Sequence, residues 1–238
     1  GAVTSMQHVD NLPEQGVSLN EAKDYCAIAI DIDGTIVQPV SSWRYIHEKL
    51  GKWDVLAYRY QDMFLAGKIT YRQFCKLDAA HWKGIPEKKI SSLFKNVPYT
   101  RNAKRCLLKL KDMGFQLIAL STGLQYIPEK LQDEIGFKIV VSNRLLSRRG
   151  ILTGGVKINI SHGEKGIVLR KILKKLNLSS DQVICVGDSD GDIPMAKMCG
   201  FSIAFNSSSQ KLNKVVDFVC ESQNFIEVLS VIEKLISQ

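Results

Sequence analysis

The chain has 238 residues, of which 45% are hydrophobic and 24% charged, and it carries a formal charge of +8. That composition fits a globular protein with room for one large domain and an insert. It argues against a membrane-spanning chain, since no run approaches the roughly 18 apolar residues that a span needs.

Residues 1–21 are polar, contain Pro13 and Gly16, and lack the apolar stretch of a secretory signal. They read as a flexible N-terminus, and residues 1–5, ahead of Met6, read as added sequence with no part in the fold. Residues 27–30 form an apolar run that predicts a buried strand. Directly after it stands Asp31-Ile32-Asp33-Gly34-Thr35-Ile36, two carboxylates where a strand gives way to a glycine turn. Residues 40–98 then change rhythm. Trp43, Ile46, His47 and Leu50, followed by Val55, Leu56, Tyr60, Met63 and Phe64, and then by Phe74, Leu77 and Trp82, recur at helical spacing. These residues predict a helical insert punctuated by Gly51, Gly67 and Gly84.

An amphipathic helix is expected over residues 102–113, ending at Gly114. Strands follow at 116–120 and 138–141. Residues 145–160, with Gly150, Gly154 and Gly155, read as a strand–turn–strand excursion. A helix over 165–176 precedes a strand at 182–186, and shorter strands are expected at 201–205 and 218–220. Strands alternating with helices predict an α/β fold, a Rossmann-like, mostly parallel sheet with helices on both faces. The expected organisation is a core of residues 22–39 and 99–238, with 40–98 inserted after the first core strand.

The six cysteines form no CxxC pair. Cys26 and Cys185 fall in expected core strands, where a thiol acts as a small hydrophobe. Unpaired buried cysteines fit a reducing, cytoplasmic setting. The positive charge is concentrated in residues 40–98, which hold eleven Lys and Arg against five Asp and Glu. Such a patch either attracts phosphorylated or nucleic-acid ligands or is a solvated face.

Four groups of residues fall at strand ends or helix starts in chain order: Asp31 and Asp33; Ser121-Thr122-Gly123; Lys165; and Gly187-Asp188-Ser189-Asp190-Gly191-Asp192. Singly, Ser121-Thr122-Gly123 fits an ordinary turn and Lys165 a surface lysine. Together they supply what phosphoryl transfer needs, which is mainly positioning and charge stabilisation. Asp31 would be the nucleophile and Asp33 the acid and then the base. Lys165, Ser121 and the backbone around Thr122 and Gly123 would bind phosphoryl oxygens. Carboxylates beside a phosphate require a hard cation, and Mg²⁺ suits few carboxylates plus a phosphate, with Asp188 as the natural third acid. An EF-hand fails on spacing, because Ile193 and Cys199 occupy its glycine and glutamate positions. Neither a P-loop nor a GxGxxG fingerprint is present.

With these motifs the chain resembles the haloacid dehalogenase (HAD) superfamily phosphatases, in the phosphoserine-phosphatase-like branch with a small helical cap. The resemblance rests on Asp31 to Thr35, Ser121, Lys165, and Gly187-Asp188-Ser189 with Asp192. It is extended by Tyr126, Ser142 to Leu145, Leu152-Thr153-Gly154 and Met195. It implies that Asp31, the carbonyl of Asp33, and Asp188 ligate Mg²⁺, and that Asp192 supports the metal and orients Lys165. The chain departs from phosphoserine phosphatase in the insert. Val40 stands where that branch has a glutamate for the substrate ammonium, and Asp78 where it has an arginine for the carboxylate, with Arg72 or Lys76 as nearby substitutes. Trp43, Arg44, Tyr45, Trp53, His81, Trp82 and Lys83 are further aromatic and cationic candidates. Some of Asp78, His81 and Trp82 are expected to face the pocket, with Val40 and Trp43 as further cap candidates.

The expected activity is Mg²⁺-dependent hydrolysis of a small phosphorylated metabolite through an aspartyl phosphate, by a monomer or homodimer with no membrane partner. The alternatives are phosphoserine phosphatase proper, a phosphomutase, or a binder of nucleic acid or phosphate termini that uses the basic insert.

Overall fold

The computed structural model describes residues 24–51 and 55–237. The N-terminal segment 1–21 and Trp53, both singled out in the sequence, lie outside the described residues. Strand β1 (Ala27–Ile30) is followed by four helices: α1 (Ser42–Lys49), α2 (Val55–Leu65), α3 (Tyr71–Ala80) and α4 (Glu87–Leu93). Then come α5 (Ala103–Asp112), β2 (Gln116–Leu120), α6 (Tyr126–Glu134), β3 (Ile139–Val141), and a hairpin of β4 (Arg144–Arg148) and β5 (Ile151–Lys157). The chain closes with α7 (Lys165–Leu176), β6 (Val183–Gly187), α8 (Ile193–Met198), β7 (Phe201–Phe205), α9 (Gln210–Val215), β8 (Phe218–Cys220) and α10 (Ile226–Ile236).

Six strands form one sheet in the order β3-β2-β1-β6-β7-β8, and every pairing in it is parallel. A parallel sheet needs both faces covered, and the residues of β1 alternate accordingly. Ile28 and Ile30 join the larger core with α5, α6 and α10. Ala27 and Ala29 face the smaller core, with Leu169, Ile172 and Leu173 of α7. β1 is central, flanked by β2 on one side and β6 on the other. Its carboxyl end is therefore where the strand order reverses, the place where open α/β sheets bind ligands.

The helices between β1 and β2 are continuous with the larger core through Trp43, Ile46, Cys75, Ala79, Trp82, Ile90 and Phe94. The β4–β5 hairpin braces them by backbone bonds. Gly84 N–H donates to Leu152 O and Leu152 N–H to Ile85 O, both at 2.9 Å, and Glu87 N–H donates to Gly150 O at 2.8 Å.

One expectation is corrected. The sequence reading left every cysteine unpaired, but the structure pairs Cys185 with Cys199, their Cα atoms 6.1 Å apart. The turn after β6 and the short α8 fold the chain back on itself. Two cysteines 14 residues apart thus become neighbours without a recognisable motif. Cys26, Cys75, Cys106 and Cys220 are free. Among the described residues, no helix is long and apolar enough to cross a membrane.

Candidate active site

The four sequence motifs converge beyond the carboxyl ends of β1, β2 and β6. Asp31 is buried. Its N–H continues the sheet to Val186 O at 3.0 Å, and its Oδ1 accepts from Ile32 N–H at 2.8 Å and from Lys165 Nζ at 3.0 Å. Lys165, the first residue of α7 and also buried, donates to Asp192 Oδ1 at 2.6 Å. The other Asp192 oxygen, Oδ2, accepts from the N–H groups of Asp188 at 2.9 Å and Ser189 at 3.2 Å. Thr35 Oγ1 donates to Asp188 Oδ1 at 3.3 Å. Gly34 adopts φ +78°, and a Cβ there would collide with the Asp188 carboxylate. Only glycine allows that approach. Asp190, the remaining acid of the turn, points away and accepts a hydrogen bond from the Ser209 hydroxyl.

Oxygens of Asp31, Asp188 and Asp192 lie within 4.8 Å of one another. Three carboxylates and one ammonium leave a net charge of −2 in a buried place, which protons or a divalent cation must offset. Burial, opposed by Lys165 and reinforced by Asp188, raises the Asp31 carboxyl to about 8. Burial raises Asp188 to about 6, and burial with the charge of Asp31 raises Asp192 to about 7. Lys165 is pushed the other way: despite burial, Asp192 and Asp31 hold it firmly protonated. An all-oxygen, over-anionic cluster of this kind fits a hard divalent cation. The carboxylate of Asp33 is not part of it.

Asp33 faces the helices instead. Its Oδ2 accepts from Ser42 N–H at 2.9 Å, one of the otherwise unpaired donors at the start of α1. Burial raises its pKa, and the Ser42 contact partly offsets the rise. Ser42 Oγ in turn accepts from Leu124 N–H at 3.0 Å, and Ser121 Oγ from Gly123 N–H at 2.9 Å. A Cβ on Gly123 would fall 2.5 Å from both Asp33 Oδ2 and Ser42 Oγ, so the second motif's glycine leaves room for the acid. Sequence reading missed Ser42, although its place at a helix start was a usable signal.

A cavity of about 280 Å³ opens over this cluster. Its floor is Asp31, Asp33, Ser121 to Gly123, Lys165 and Asp188. Its walls come from the helices: Trp43, Phe64, Tyr71, Phe74 and Asp78, with Val40 and Arg44 also lining it. His162, from the loop before α7, packs edge-on to Phe64 at 5.6 Å and joins the wall. Tyr71, Phe64, Phe74 and His162 were not anticipated as site residues, because helical periodicity does not reveal which aromatic face meets a cavity. Of Asp78, His81 and Trp82, some of which were expected to face the pocket, Asp78 lines it and the other two do not. Trp82 is fully buried, stacked on Trp43 at 5.8 Å and tilted against His47 at 4.6 Å, and it does not line the cavity. His81 caps α3 beside Tyr60 and does not line it either. Arg72 and Lys76, the possible stand-ins for a cap arginine, are exposed and outside the cavity. Val40 is 72% exposed, at the rim. Trp43 Nε1 at 3.0 Å and Tyr71 O–H at 3.2 Å both donate to Thr122 O, which also accepts from Asn143 at 3.0 Å.

A family model for haloacid dehalogenase-like hydrolases matches residues 28–197, well over half of the chain and all four motifs. The chain belongs to this HAD family. Within the HAD family it is phosphoserine-phosphatase-like. It is 28% identical over 170 residues to a phosphoserine phosphatase of Methanocaldococcus jannaschii, covering 71% of this chain and 80% of that one. It is 26% identical over 207 residues to one of Archaeoglobus fulgidus, covering 87% of this chain but 59% of that one, so it spans less than two thirds of that relative. A solved substrate-bound phosphoserine phosphatase complex superposes with a TM-score of 0.76 at 25% identity, covering 87% of this chain and 98% of that one. A phospho-aspartyl intermediate analogue of phosphoserine phosphatase gives 0.75 at 26%, covering 87% and 99%.

Proposed function

We propose that this HAD-type phosphatase hydrolyses a small phosphomonoester through an aspartyl phosphate on Asp31. The observation that carries the reading is the buried Asp31, held by Lys165 at 3.0 Å on the floor of a cavity, with Asp33 on that same floor. Residues 40–98 serve as the cap over a core of 22–39 and 99–238. The cavity's volume of about 280 Å³ suits a small metabolite; drug-sized ligand pockets typically run from about 300 to 1,000 Å³.

In the first half-reaction a carboxylate oxygen of Asp31 attacks phosphorus, and the bond from phosphorus to the substrate's bridging oxygen breaks. Asp33 gives its proton to that oxygen, and the alcohol leaves. In the second, Asp33 takes a proton from water, the water oxygen attacks the phosphoryl group, and Asp31 is regenerated with release of phosphate. The raised pKa of Asp33 suits a group that must hold a proton and pass it on. Lys165, Ser121 and the backbone of Thr122 and Gly123 hold the phosphoryl oxygens. Asp31 and Asp188, with the carbonyl of Asp33, would hold Mg²⁺. Asp192 would support them and keep Lys165 in place. When bound, the cation offsets the anionic cluster so that an anionic substrate can approach.

The test is hydrolysis of p-nitrophenyl phosphate with Mg²⁺. Asp31→Asn is expected to remove turnover, and Asp33→Asn to lower kcat by about 10² to 10⁴. Full activity in the Asp31 variant would refute the assignment. The relatives' names and the cap's walls support a phosphoserine-like size of substrate.

A further inference from the structure

The substrate's alcohol meets the helical wall of the cavity, and that wall has an unusual make-up. Tyr71, Phe74 and Asp78 stand at i, i+3 and i+7 of α3, and so share one face of the helix. The stripe runs from half-buried Tyr71 and Phe74 to buried Asp78. Phe64 stacks on Phe74 at 5.5 Å and meets Tyr71 edge-on at 5.6 Å, and Trp43 closes the other side. Asp78 Oδ1 is paired with His47 Nε2 at 2.7 Å, which fixes the carboxylate in the wall.

The cations in this cavity are few. Among the described lining residues only Lys165 and Arg44 carry a full positive charge. Lys165 is committed to Asp31 and Asp192. Arg44 bonds Glu48 at 2.7 Å with both side chains about half exposed, at the rim. A substrate carboxylate near Asp78 would therefore meet like charge, with no uncommitted lysine or arginine opposing it among the described lining residues. An ammonium would meet aromatic faces and a fixed carboxylate, the combination that stabilises organic cations.

Resting on the phosphatase reading above, we propose that the cap selects phosphomonoesters of cationic amino alcohols that lack a carboxylate, with Asp78 as the specificity-determining residue. The experiment compares kcat/KM for phosphocholine and 2-aminoethyl phosphate with three comparators: 3,3-dimethylbutyl phosphate (the uncharged carbon isostere of phosphocholine), propyl phosphate and phosphoserine. The expected result is a preference for each ammonium substrate over its neutral counterpart and over phosphoserine of at least about tenfold. In Asp78→Asn the cationic-to-neutral ratio should collapse to within about threefold. That ratio does not depend on how much overall activity the variant keeps. Titration calorimetry of the Asp31→Asn protein with phosphocholine and its isostere reads the same preference without turnover, and needs no change at Asp78. Equal or better use of phosphoserine, no preference over the isostere, or a preference that survives Asp78→Asn overturns the proposal. If p-nitrophenyl phosphate is not hydrolysed, the catalytic reading fails. The calorimetric preference then still decides whether the cavity recognises organic cations.

Discussion

Asp192 offers the sharpest energetic test of the site. It is 1% exposed, and its two oxygens have different tasks. Oδ1 takes the Lys165 ammonium at 2.6 Å, and Oδ2 takes two backbone N–H groups of the 188–189 turn. Asparagine has the same shape but only one acceptor oxygen. Whichever way the amide is turned, its NH₂ faces a donor. If the oxygen stays on the turn, Lys165 loses its closest partner. If it faces Lys165, the two backbone N–H groups of the turn lose their acceptor. Removing one partner of a buried pair costs about 3–5 kcal/mol. Two facts reduce that here: Lys165 keeps Asp31 at 3.0 Å, and the cluster's net charge becomes less negative. A net loss of about 3 kcal/mol is expected for Asp192→Asn, against a total stability of about 5–15 kcal/mol for natural domains. With a urea dependence of about 1–3 kcal/mol per molar, the midpoint should fall by about 1–3 M. The assay is urea unfolding in EDTA followed by tryptophan fluorescence, with Asp192→Ala as the more severe comparison. A midpoint within about 0.3 M of wild type would refute the view that both oxygens are committed.

Three further outcomes are expected. Asp31, Asp188 and Asp192 keep protons up to about 8, 6 and 7 in the folded protein, whereas unfolded aspartates lose theirs near 3.9. The folded state then binds more protons across that window, so the stability of cation-free protein falls as pH rises from about 4 to 8. A bound divalent cation would replace those protons, so the gain in Tm on adding Mg²⁺ should be larger at pH 8 than at pH 5.5; a gain independent of pH would contradict the charge count. Gly123→Ala crowds Asp33 and Ser42 and should lower kcat for p-nitrophenyl phosphate at least tenfold, while circular dichroism stays unchanged; wild-type kcat would show that the glycine leaves slack. Trp43→Phe removes one of three donors to Thr122 O and should cost about 1 kcal/mol of thermal stability, with a loss above about 3 kcal/mol pointing to packing on Trp82 as the dominant role.

Much of the core was legible in the sequence because a parallel strand buried on both faces must be apolar throughout. Residues 27–30, 116–120, 201–205 and 218–220 coincide with β1, β2, β7 and β8, and α7 begins and ends where its periodicity does. The four motifs were legible for a related reason: each interrupts an apolar run or opens a helix with a reactive group. The cavity wall was much less so. Trp82 and Tyr71 are both aromatics at helical spacing, yet one is sealed against Trp43 and the other faces the cavity. The difference depends on how α1 and α3 pack, which neither local sequence carries. His47 and Asp78 are 31 residues apart, and Cys185 and Cys199 are separated by a turn and a helix. Such pairs are products of the tertiary fold and leave no periodic trace.

The β4–β5 hairpin has a bearing on how this enzyme exchanges its contents with solvent. Its backbone grips the chain at Gly84, Ile85 and Glu87, between α3 and α4, while the front of the helical block is tied to the core at Thr122 by Trp43 and Tyr71. A door hung this way has its hinge side at the hairpin and its latch at the Thr122 turn. Opening the latch side breaks the bonds of Trp43, Tyr71 and Ser42 to the core; swinging the whole block would also rupture main-chain pairing. The cheaper motion is therefore a partial opening at α1 and the start of α3, and the latch sits on the peptide proposed to receive the phosphate. On that proposal, arrival and departure of the anion are mechanically tied to the opening of the path it uses.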